Sequence, residues 1–278
     1  MAARHDQVTD PQITASLLLA RRGTAYFSRY LTQLTAEDMR GPSLIPGWDR
    51  AHVVAHVGYH ARGLAHLIEE VRTGMPVAET DLPQAHDVDY GATLPDAALR
   101  NLHVHAAVHL NVEWRDLPAE RWSTVFTRDN QSSVHVADTA WQRACEVWVH
   151  AVDLNVGARL EDFPPPLLER LLHDALDDWS ARSAQRDTRP QLILRPTDRD
   201  ADHRIPHPRN TLTPRTEEGA APGHTVIMEG TLAALTRWCL GRGTAGVLST
   251  EGAVPVLRPW TPHEDACPFP PHASLLMV

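Results

Sequence analysis

The sequence predicts an α+β protein in which an N-terminal four-helix bundle is followed by a small α/β domain. Two observations support this fold class. Apolar residues recur at three- and four-residue spacing through four long segments in the first half of the chain, as on the buried faces of amphipathic helices. Shorter segments with the patterns of strands and helices then alternate in the second half. With 278 residues, 42% of them hydrophobic, the chain can build two such cores.

The four predicted bundle helices follow one another along the chain, at residues 11–33, 48–72, 96–117 and 138–156. Each presents an apolar stripe, and connections of short or moderate length allow the four stripes to pack together. The prolines of FPPP, at residues 163–166, stop the last helix and can begin another, so the domain boundary is placed there. We therefore expect residues 1–162 to form a metal-binding helical bundle, for the reasons given below.

Residues 163–260 are expected to form the small α/β domain, which would complete an active-site cleft. After a helix in FPPPLLERLLHDALDDWSAR, the segments QLILRP and HTVIME indicate strands. GTLAALTRWCLGRG indicates a helix closed by glycine, and AGVLSTEGAVPVL indicates a hairpin or strand pair. The polar stretch 197–223 is predicted to be a loop, and residues 261–278 a proline-rich tail.

Composition argues against several classes of function. A net charge of -9 and a pI near 6.0 disfavour nucleic-acid binding, which usually needs a basic stripe. The start of the chain lacks the apolar core of a signal peptide, and its apolar runs are too short to span a bilayer. Cys145, Cys239 and Cys267 are too few and too widely spaced for a disulfide framework. We expect a cytoplasmic protein with no nucleic-acid or membrane partner.

The last bundle helix carries a narrow polar strip between two apolar stripes. Within EVWVHAVDL, Glu146 and His150 are four residues apart and lie on one side of the helix. Gln142, Arg143 and Asp153 belong to the same strip. In an arbitrary protein such a strip is more often the solvated face of an ordinary helix, so this helix alone leaves both interpretations open.

The second bundle helix adds three histidines. His52, His56 and His60 follow at four-residue spacing and stack along one side, next to the apolar face. Imidazole and carboxylate groups from two helices can meet in a bundle core and bind zinc there. Two histidines and one glutamate leave a coordination position open, as a catalytic metal requires. Spacing alone does not identify which of the three histidines is the ligand.

Four segments of the chain resemble the mycothiol-dependent maleylpyruvate isomerases of actinobacteria, within the superfamily of DinB-like metal-binding bundles. They are GWDRAHVVAHV, GATLPDAALRNLHVHAAVHLNVEWRD, WQRACEVWVHAVDL and GRGTAGV. The resemblance extends over roughly residues 15–260. It is most specific in the Gly-Trp start with its histidines, the Glu-to-His segment and the late Gly-Arg-Gly. It implies the fold that the hydrophobic pattern also predicts.

The resemblance further implies a metal centre and a thiol cofactor. The family's three ligands fall on His56, Glu146 and His150, which makes His52 and His60 neighbours of the site. Zinc, or another divalent metal, would hold the thiol of mycothiol as a thiolate. In the family reaction the thiolate adds to the cis double bond of maleylpyruvate, the bond rotates, and elimination gives fumarylpyruvate.

Arg242 is implied as the catalytic cation. It lies between Gly241 and Gly243 at the end of a predicted helix, where an arginine is otherwise most often a surface complement to the helix dipole. The matching arginine of the family is regarded as catalytic, and its planar fork suits a substrate carboxylate or an enolate oxygen. Weaker candidates for lining the pocket are His52, Tyr59, His60, Arg143 and Asp153.

Two alternative functions are retained. The stretch 197–223 and the tail depart from the family pattern, and loops carry specificity, so these departures bear on the substrate more than on the metal or the thiol. A mycothiol S-transferase, conjugating an electrophile in detoxification or natural-product synthesis, is the close alternative. A non-catalytic metal-binding or sensor module is the alternative of another class. The family is compatible with a monomer, which we expect here.

Overall fold

The fold is given by a computed structural model that describes residues 5–78, 83, 87–127, 133–183, 191–199, 203–204, 225–257 and 259–260. The chain forms two compact units, one ending at Ala158 and the other beginning at Arg159. Most of the predicted loop 197–223 and the whole predicted tail 261–278 lie outside the described residues. The helices of the described part are Pro11–Leu31 (α1), Arg50–Thr73 (α2), Asp87–Ala92 (α3), Asp96–Asp116 (α4), Thr139–Asp153 (α5), Pro165–Ser183 (α6) and Leu232–Cys239 (α7).

The first unit is the predicted helical bundle, built from α1, α2, α4 and α5. Its helices begin where the sequence offers a cap: the carboxylate of Asp10 accepts from the backbone N–H of Gln12 at 2.8 Å, and Asp49 starts α2 with a capping box. Helix α2 packs chiefly on α4, and α5 chiefly on α1. Fully buried apolar side chains fill the core, among them Leu17, Phe27, Val53, Leu64, Leu99, Leu110 and Val149.

Helix α5 is buried along its entire length. All 15 of its residues are buried, including the polar residues of the strip that contains Glu146 and His150. Burial of five polar or charged side chains is unfavourable unless they are paired or bind a ligand. The solvated-face interpretation of this strip is therefore wrong, and the strip belongs to the interior of the bundle.

Two small elements of the first unit were not predicted. The short helix α3 contacts α2, where Gly91 lies so close to the ring of Tyr59 that a Cβ atom would come within 2.6 Å of it. Strands Val125–Phe126 (β1) and Val134–His135 (β2) form an antiparallel pair between α4 and α5. None of the helices within the described ranges combines the length and apolar content needed to cross a membrane.

The second unit is a four-stranded sheet with two helices, as the fold class predicts. The four strands are Gln191–Pro196 (β3), His203–Arg204 (β4), Thr225–Gly230 (β5) and Leu248–Ser249 (β6). They are ordered β4-β3-β5-β6, with β3 and β5 parallel and both outer pairs antiparallel. Helix α7 contacts α6, β3 and β5. The segments QLILRP and HTVIME thus form β3 and β5 as predicted.

The expected hairpin in AGVLSTEGAVPVL is wrong. Within the described residues this segment contains one two-residue strand, β6, which pairs with β5. Gly246 and Gly252 adopt positive φ angles of 77° and 67° on either side of β6 and turn the chain away from an extended path. Pro255 cannot donate a ladder hydrogen bond, so the second half of the segment is a poor strand.

A histidine is buried between α1 and α4. His103 is 1% exposed, and its Nε2 lies 2.8 Å from Oγ of Ser28. The Ser28 hydroxyl donates to the carbonyl of Thr24, so the His103 ring donates to Ser28 and Nδ1 is left unprotonated. Burial, with a contribution from the nearby charge of Arg143, lowers the pKa of His103 to about 3.

We expect His103→Leu to remove part of the protein's acid sensitivity. The folded-state pKa of about 3 lies below the ordinary value of 6.5, so below pH 6.5 the unfolded chain binds a proton that the folded chain does not. Stability from this group is therefore lost as the pH falls, by about 2 kcal/mol between pH 7 and pH 5. Urea unfolding at several pH values should show the wild-type free energy of unfolding falling by that amount relative to the variant. If the free energy of unfolding fell by the same amount in the wild type and the variant, the lowered pKa of His103 would be contradicted.

Candidate metal centre

Three predicted ligands meet in the core of the bundle. The donor atoms of His56, Glu146 and His150 all lie within 4.8 Å of one another. Oε2 of Glu146 is 3.0 Å from Nε2 of His56 and 3.0 Å from Nε2 of His150. His56 comes from α2, whereas Glu146 and His150 are one turn apart on α5, so two helices supply the cluster. Among the described residues this is the one group of three or more such side chains gathered closely enough to hold a metal ion.

The orientation of His150 favours an ion at this place. Its Nδ1 donates to Oδ2 of Asp153 at 2.8 Å, and both side chains are almost fully buried. In the neutral ring this bond leaves Nε2 as an unprotonated acceptor that faces the Glu146 carboxylate, also an acceptor. In that neutral state Nε2 has no hydrogen-bond partner among the described residues. Two acceptors at 3.0 Å repel each other unless a proton or a cation lies between them. A carboxylate that accepts a hydrogen bond from the other ring nitrogen, as Asp153 does here, is a recurring feature of histidines that bind metals.

The charges of the site reinforce this arrangement. Burial disfavours an ionised Glu146, but His60, His56 and His150 outweigh it and hold the pKa of Glu146 well below its ordinary value. Burial likewise opposes protonation of His150, yet the carboxylates of Glu146 and Asp153 raise the pKa of His150 to about 9. A metal ion must displace that proton, so its affinity is expected to increase as the pH rises towards 9.

The cluster is buried on one side and accessible on the other. The side chains of Glu146 and His150 are 2% and 1% exposed, whereas that of His56 keeps 21% of its surface exposed. The ring of Trp48, just before the start of α2, lies 5.4 Å from the His56 ring. An ion bound by these three ligands would keep a position open towards the exposed side of His56, as catalytic zinc sites do.

The other residues that the sequence singled out on α2 lie around the cluster or apart from it. His60 is buried, with Nε2 3.9 Å from Oε1 of Glu146, the carboxylate oxygen that does not face the two ligand histidines. His52 belongs to the start of α2, where its Nδ1 lies 2.6 Å from Oδ1 of Asp49. Tyr59 packs against Gly91 of α3, and burial raises its pKa. None of these three belongs to the donor cluster, and their roles in a pocket stay predictions.

The two remaining predicted side chains of α5 make hydrogen bonds to the ligand His150 and to the backbone carbonyl next to the ligand His56. Asp153 orients His150, as described above. Arg143 is fully buried, and its Nη1 donates to the carbonyl oxygen of Val57 on α2 at 2.7 Å. Burial lowers the pKa of Arg143 to about 10, against the attraction of Glu146, so the guanidinium is charged at neutral pH.

Arg242 lies in the second unit, directly after α7. Its Nη1 donates to the carbonyl of Leu240 at 2.6 Å and to the carbonyl of Trp260, and the side chain is 9% exposed. The flanking residues Gly241 and Gly243 have positive φ angles of 71° and 112°, which permit the chain reversal predicted for Gly-Arg-Gly. The structure thus gives this arginine a fixed position within its own unit, and its catalytic role stays a prediction.

Comparison with known proteins identifies the family. The N-terminal domain of mycothiol maleylpyruvate isomerase matches residues 20–155, which contain all three donor residues. Crystal structures of the mycothiol-dependent maleylpyruvate isomerase and of its histidine-to-alanine mutant are 34% and 33% identical to the chain. Each match covers 89% of this chain and 97% of the solved chain, with a TM-score of 0.72. The chain belongs to the mycothiol-dependent maleylpyruvate isomerase family. No curated protein matches it.

Membership of this family confirms the resemblance and the fold class stated from the sequence. Because the structural match covers 89% of the chain, it includes the second unit as well as the bundle. The chain is homologous to an enzyme, and mycothiol dependence is a property of the family. At 33% to 34% identity the substrate of this chain is a separate question.

Sequence reasoning missed two features of the site. Trp48 was noticed as part of the Gly-Trp start but was given no function, although it is the aromatic ring beside His56. The hydrogen bond from Arg143 to a backbone carbonyl leaves no trace in side-chain periodicity. The sequence did contain a signal for Trp48. This residue directly precedes Asp49, the capping residue of α2, and therefore lies at the N-terminal end of the helix, which is the end nearer to His56.

Proposed function

We propose that this protein is a metal- and mycothiol-dependent cis–trans isomerase that acts on maleylpyruvate or a related cis-alkene acid. The observation that carries the proposal is the buried cluster of His56, Glu146 and His150, with Nε2 of His150 and the Glu146 carboxylate facing each other at 3.0 Å. Membership of the isomerase family supports the reaction and the cofactor. Zinc is the proposed metal, because neutral imidazole and carboxylate are among its common ligands.

The residues that would hold the ion have distinct tasks. Glu146 supplies the anionic ligand, and the two histidines supply neutral ones from opposite helices. Asp153 fixes the tautomer of His150 and makes Nε2 of that ring a better electron-pair donor to a metal ion. A bound divalent ion would lower the pKa of a thiol and so supply a thiolate at neutral pH. The exposed side of His56 is where a thiol could approach the cluster.

Arg242 is proposed as the cation that binds the reacting acid. Addition of a thiolate to one carbon of the cis double bond leaves a single bond that can rotate, and it places negative charge on the conjugated carbonyl oxygen. Elimination of the thiolate then restores the double bond and removes that charge. A fixed guanidinium stabilises such charge more strongly than water does, because it needs no reorganisation. The carbonyls of Leu240 and Trp260 hold Arg242 from one side, which reduces the conformational freedom that it would lose on binding.

The experiment that tests this proposal monitors conversion of maleylpyruvate by the zinc-loaded protein with far less mycothiol than substrate. Isomerisation regenerates the thiol, so we expect many turnovers to fumarylpyruvate per mycothiol and none without it. Stoichiometric loss of mycothiol with formation of a thioether would support the S-transferase instead. No conversion of maleylpyruvate by protein that binds both zinc and mycothiol would contradict the proposed substrate.

Three further expectations from the sequence stay predictions. They are a cytoplasmic location, a monomeric state, and the absence of nucleic-acid or membrane partners. The proposed partners are mycothiol and a small acidic substrate, in agreement with the family. Completion of the cleft by residues 163–260 also stays part of the proposal, because it would be needed for Arg242 to reach the substrate.

A further inference from the structure

Polar groups from all four bundle helices form two cross-helix links, which involve the buried side chains of His103 and Arg143. His103 on α4 is bonded to Ser28 on α1 at 2.8 Å, and Arg143 on α5 is bonded to the carbonyl of Val57 on α2 at 2.7 Å. The charge of Arg143 acts on His103, so the two links are close enough to interact. These four groups, which we call the polar layer, connect the α2–α4 pair to the α1–α5 pair, whose direct packing on each other through α2 and α5 is less extensive.

The metal ligands are divided between those pairs. His56 lies on α2, which packs chiefly on α4, while Glu146 and His150 lie on α5, which packs chiefly on α1. The distance between His56 and the other two ligands therefore depends on the spacing of α2 and α5. Arg50 links the start of α2 to the carbonyl of Leu154 at the end of α5, at 2.7 Å. The link from Arg143 lies beside the ligands, because Val57 directly follows His56 and Arg143 precedes Glu146 by one helical turn.

The stability of the helices does not explain this hydrogen bond. The carbonyl of Val57 is in the interior of α2, where it already accepts the N–H four residues later in the chain. Arg143 is 1% exposed, and its Nη2 has no hydrogen-bond partner among the described residues. A buried guanidinium with an unmatched donor is expected to destabilise the fold relative to an apolar side chain of similar size. Its presence therefore indicates a different task.

We propose that Arg143 is a positioning residue for the metal centre, which holds His56 at the distance from Glu146 and His150 that a bound ion requires. This inference rests on the proposed metal centre, and it concerns the spacing of α2 and α5, which no ligand controls by itself. Arg143 acts through its hydrogen bond to Val57 and is not one of the three donor residues.

The test compares Arg143→Met with Arg143→Lys and with Arg100→Met as a matched control. Arg100 also donates to backbone carbonyls, those of Leu31 and Leu34 at 2.7 Å each, but it links α4 to the end of α1. Three quantities are measured for each protein: zinc affinity by competition with a chromophoric chelator, the absorption spectrum of the bound cobalt ion, and the thermal unfolding temperature without metal.

For Arg143→Met we expect zinc affinity to be about 10- to 100-fold weaker, the range seen when residues that position metal ligands are replaced. We also expect the absorption spectrum of the bound cobalt ion to change. Its unfolding temperature should be equal to or higher than that of the wild type, since an apolar side chain replaces a buried charge. Arg143→Lys, which can still donate to Val57, should recover part of the affinity. Arg100→Met should unfold at a lower temperature with zinc affinity and spectrum unchanged.

Two results would overturn the inference. One is wild-type zinc affinity and an unchanged cobalt spectrum in Arg143→Met. The other is a loss of zinc affinity in Arg143→Met that is matched by a lower unfolding temperature, together with the same two changes in Arg100→Met. Arg143 would then be a structural residue with no specific role at the metal centre. Failure of the wild-type protein to bind zinc would be a different result, because it would remove the metal centre itself and with it this role.

Discussion

Replacing Glu146 by glutamine is expected to abolish binding of a divalent ion at neutral pH. Glu146 is the single anionic ligand of the cluster and lies 3.0 Å from both ligand histidines. Glutamine has nearly the same shape but no charge, so it can neither balance the ion nor hold its two neighbours as strongly. We expect the loss in zinc affinity to exceed the roughly 100-fold upper range seen when an outer partner is removed. Isomerase activity should disappear with the metal.

The control for this variant is Glu113→Gln. Glu113 is another buried glutamate of the bundle, 5% exposed, and it pairs with Arg72 at 2.7 Å on α2. Its replacement breaks a partly buried ion pair and should lower stability without changing zinc affinity. Metal content after dialysis and competition with a chelator measure the result for both variants. Wild-type zinc affinity in Glu146→Gln would contradict the assignment of the cluster.

The second large effect is expected for Arg242→Ala, which should lower the rate of isomerisation by about 100- to 1000-fold. The reason is loss of the cation proposed to stabilise negative charge on the reacting acid. Arg242 makes its two described hydrogen bonds inside its own unit, to Leu240 and Trp260. Metal content and zinc affinity should therefore stay at wild-type values. Steady-state kinetics measure the loss of isomerisation rate, and metal analysis shows whether the metal site is unchanged.

This variant also distinguishes the enzyme from a sensor module. Arg195→Ala is a suitable control, because Arg195 is an exposed arginine of the same unit that pairs with Glu229 at 3.0 Å, and its loss should change little. Arg242→Lys keeps the charge without the planar fork and should retain part of the activity. If Arg242→Ala isomerises the substrate as fast as the wild type, the proposed catalytic role of Arg242 is wrong. If the wild type shows no isomerisation while Glu146→Gln still removes the metal, the sensor alternative is favoured.

The bundle was predictable because its helices are long and strongly periodic. The predicted segments and the observed helices α1, α2, α4 and α5 agree within a few residues at each end, where capping residues such as Asp10 and Asp49 fix the boundaries. The short elements were harder. Strand β6 has two residues, and glycines with positive φ interrupt the segment around it, so an alternating apolar pattern overestimated the length of the strand.

The chemistry of the site was predictable from spacing, but its supporting contacts were not. The positions of Glu146 and His150 one turn apart, and the row of histidines on α2, follow from helical geometry. Spacing could not separate His56 from His52 and His60, because that depends on how α2 faces α5. The links from Asp153 to His150 and from Arg143 to the Val57 carbonyl are tertiary contacts, which one-dimensional patterns do not encode.

Titration of the cobalt-loaded protein with mycothiol tests the central claim most directly, namely that His56, Glu146 and His150 hold an ion to which a thiol can bind. A thiolate bound to cobalt produces a charge-transfer absorption that imidazole, carboxylate and water ligands do not. We expect this absorption to appear and to saturate at one mycothiol per protein, and to be absent from Glu146→Gln. No change in the absorption of cobalt-loaded wild-type protein at saturating mycothiol would contradict the claim.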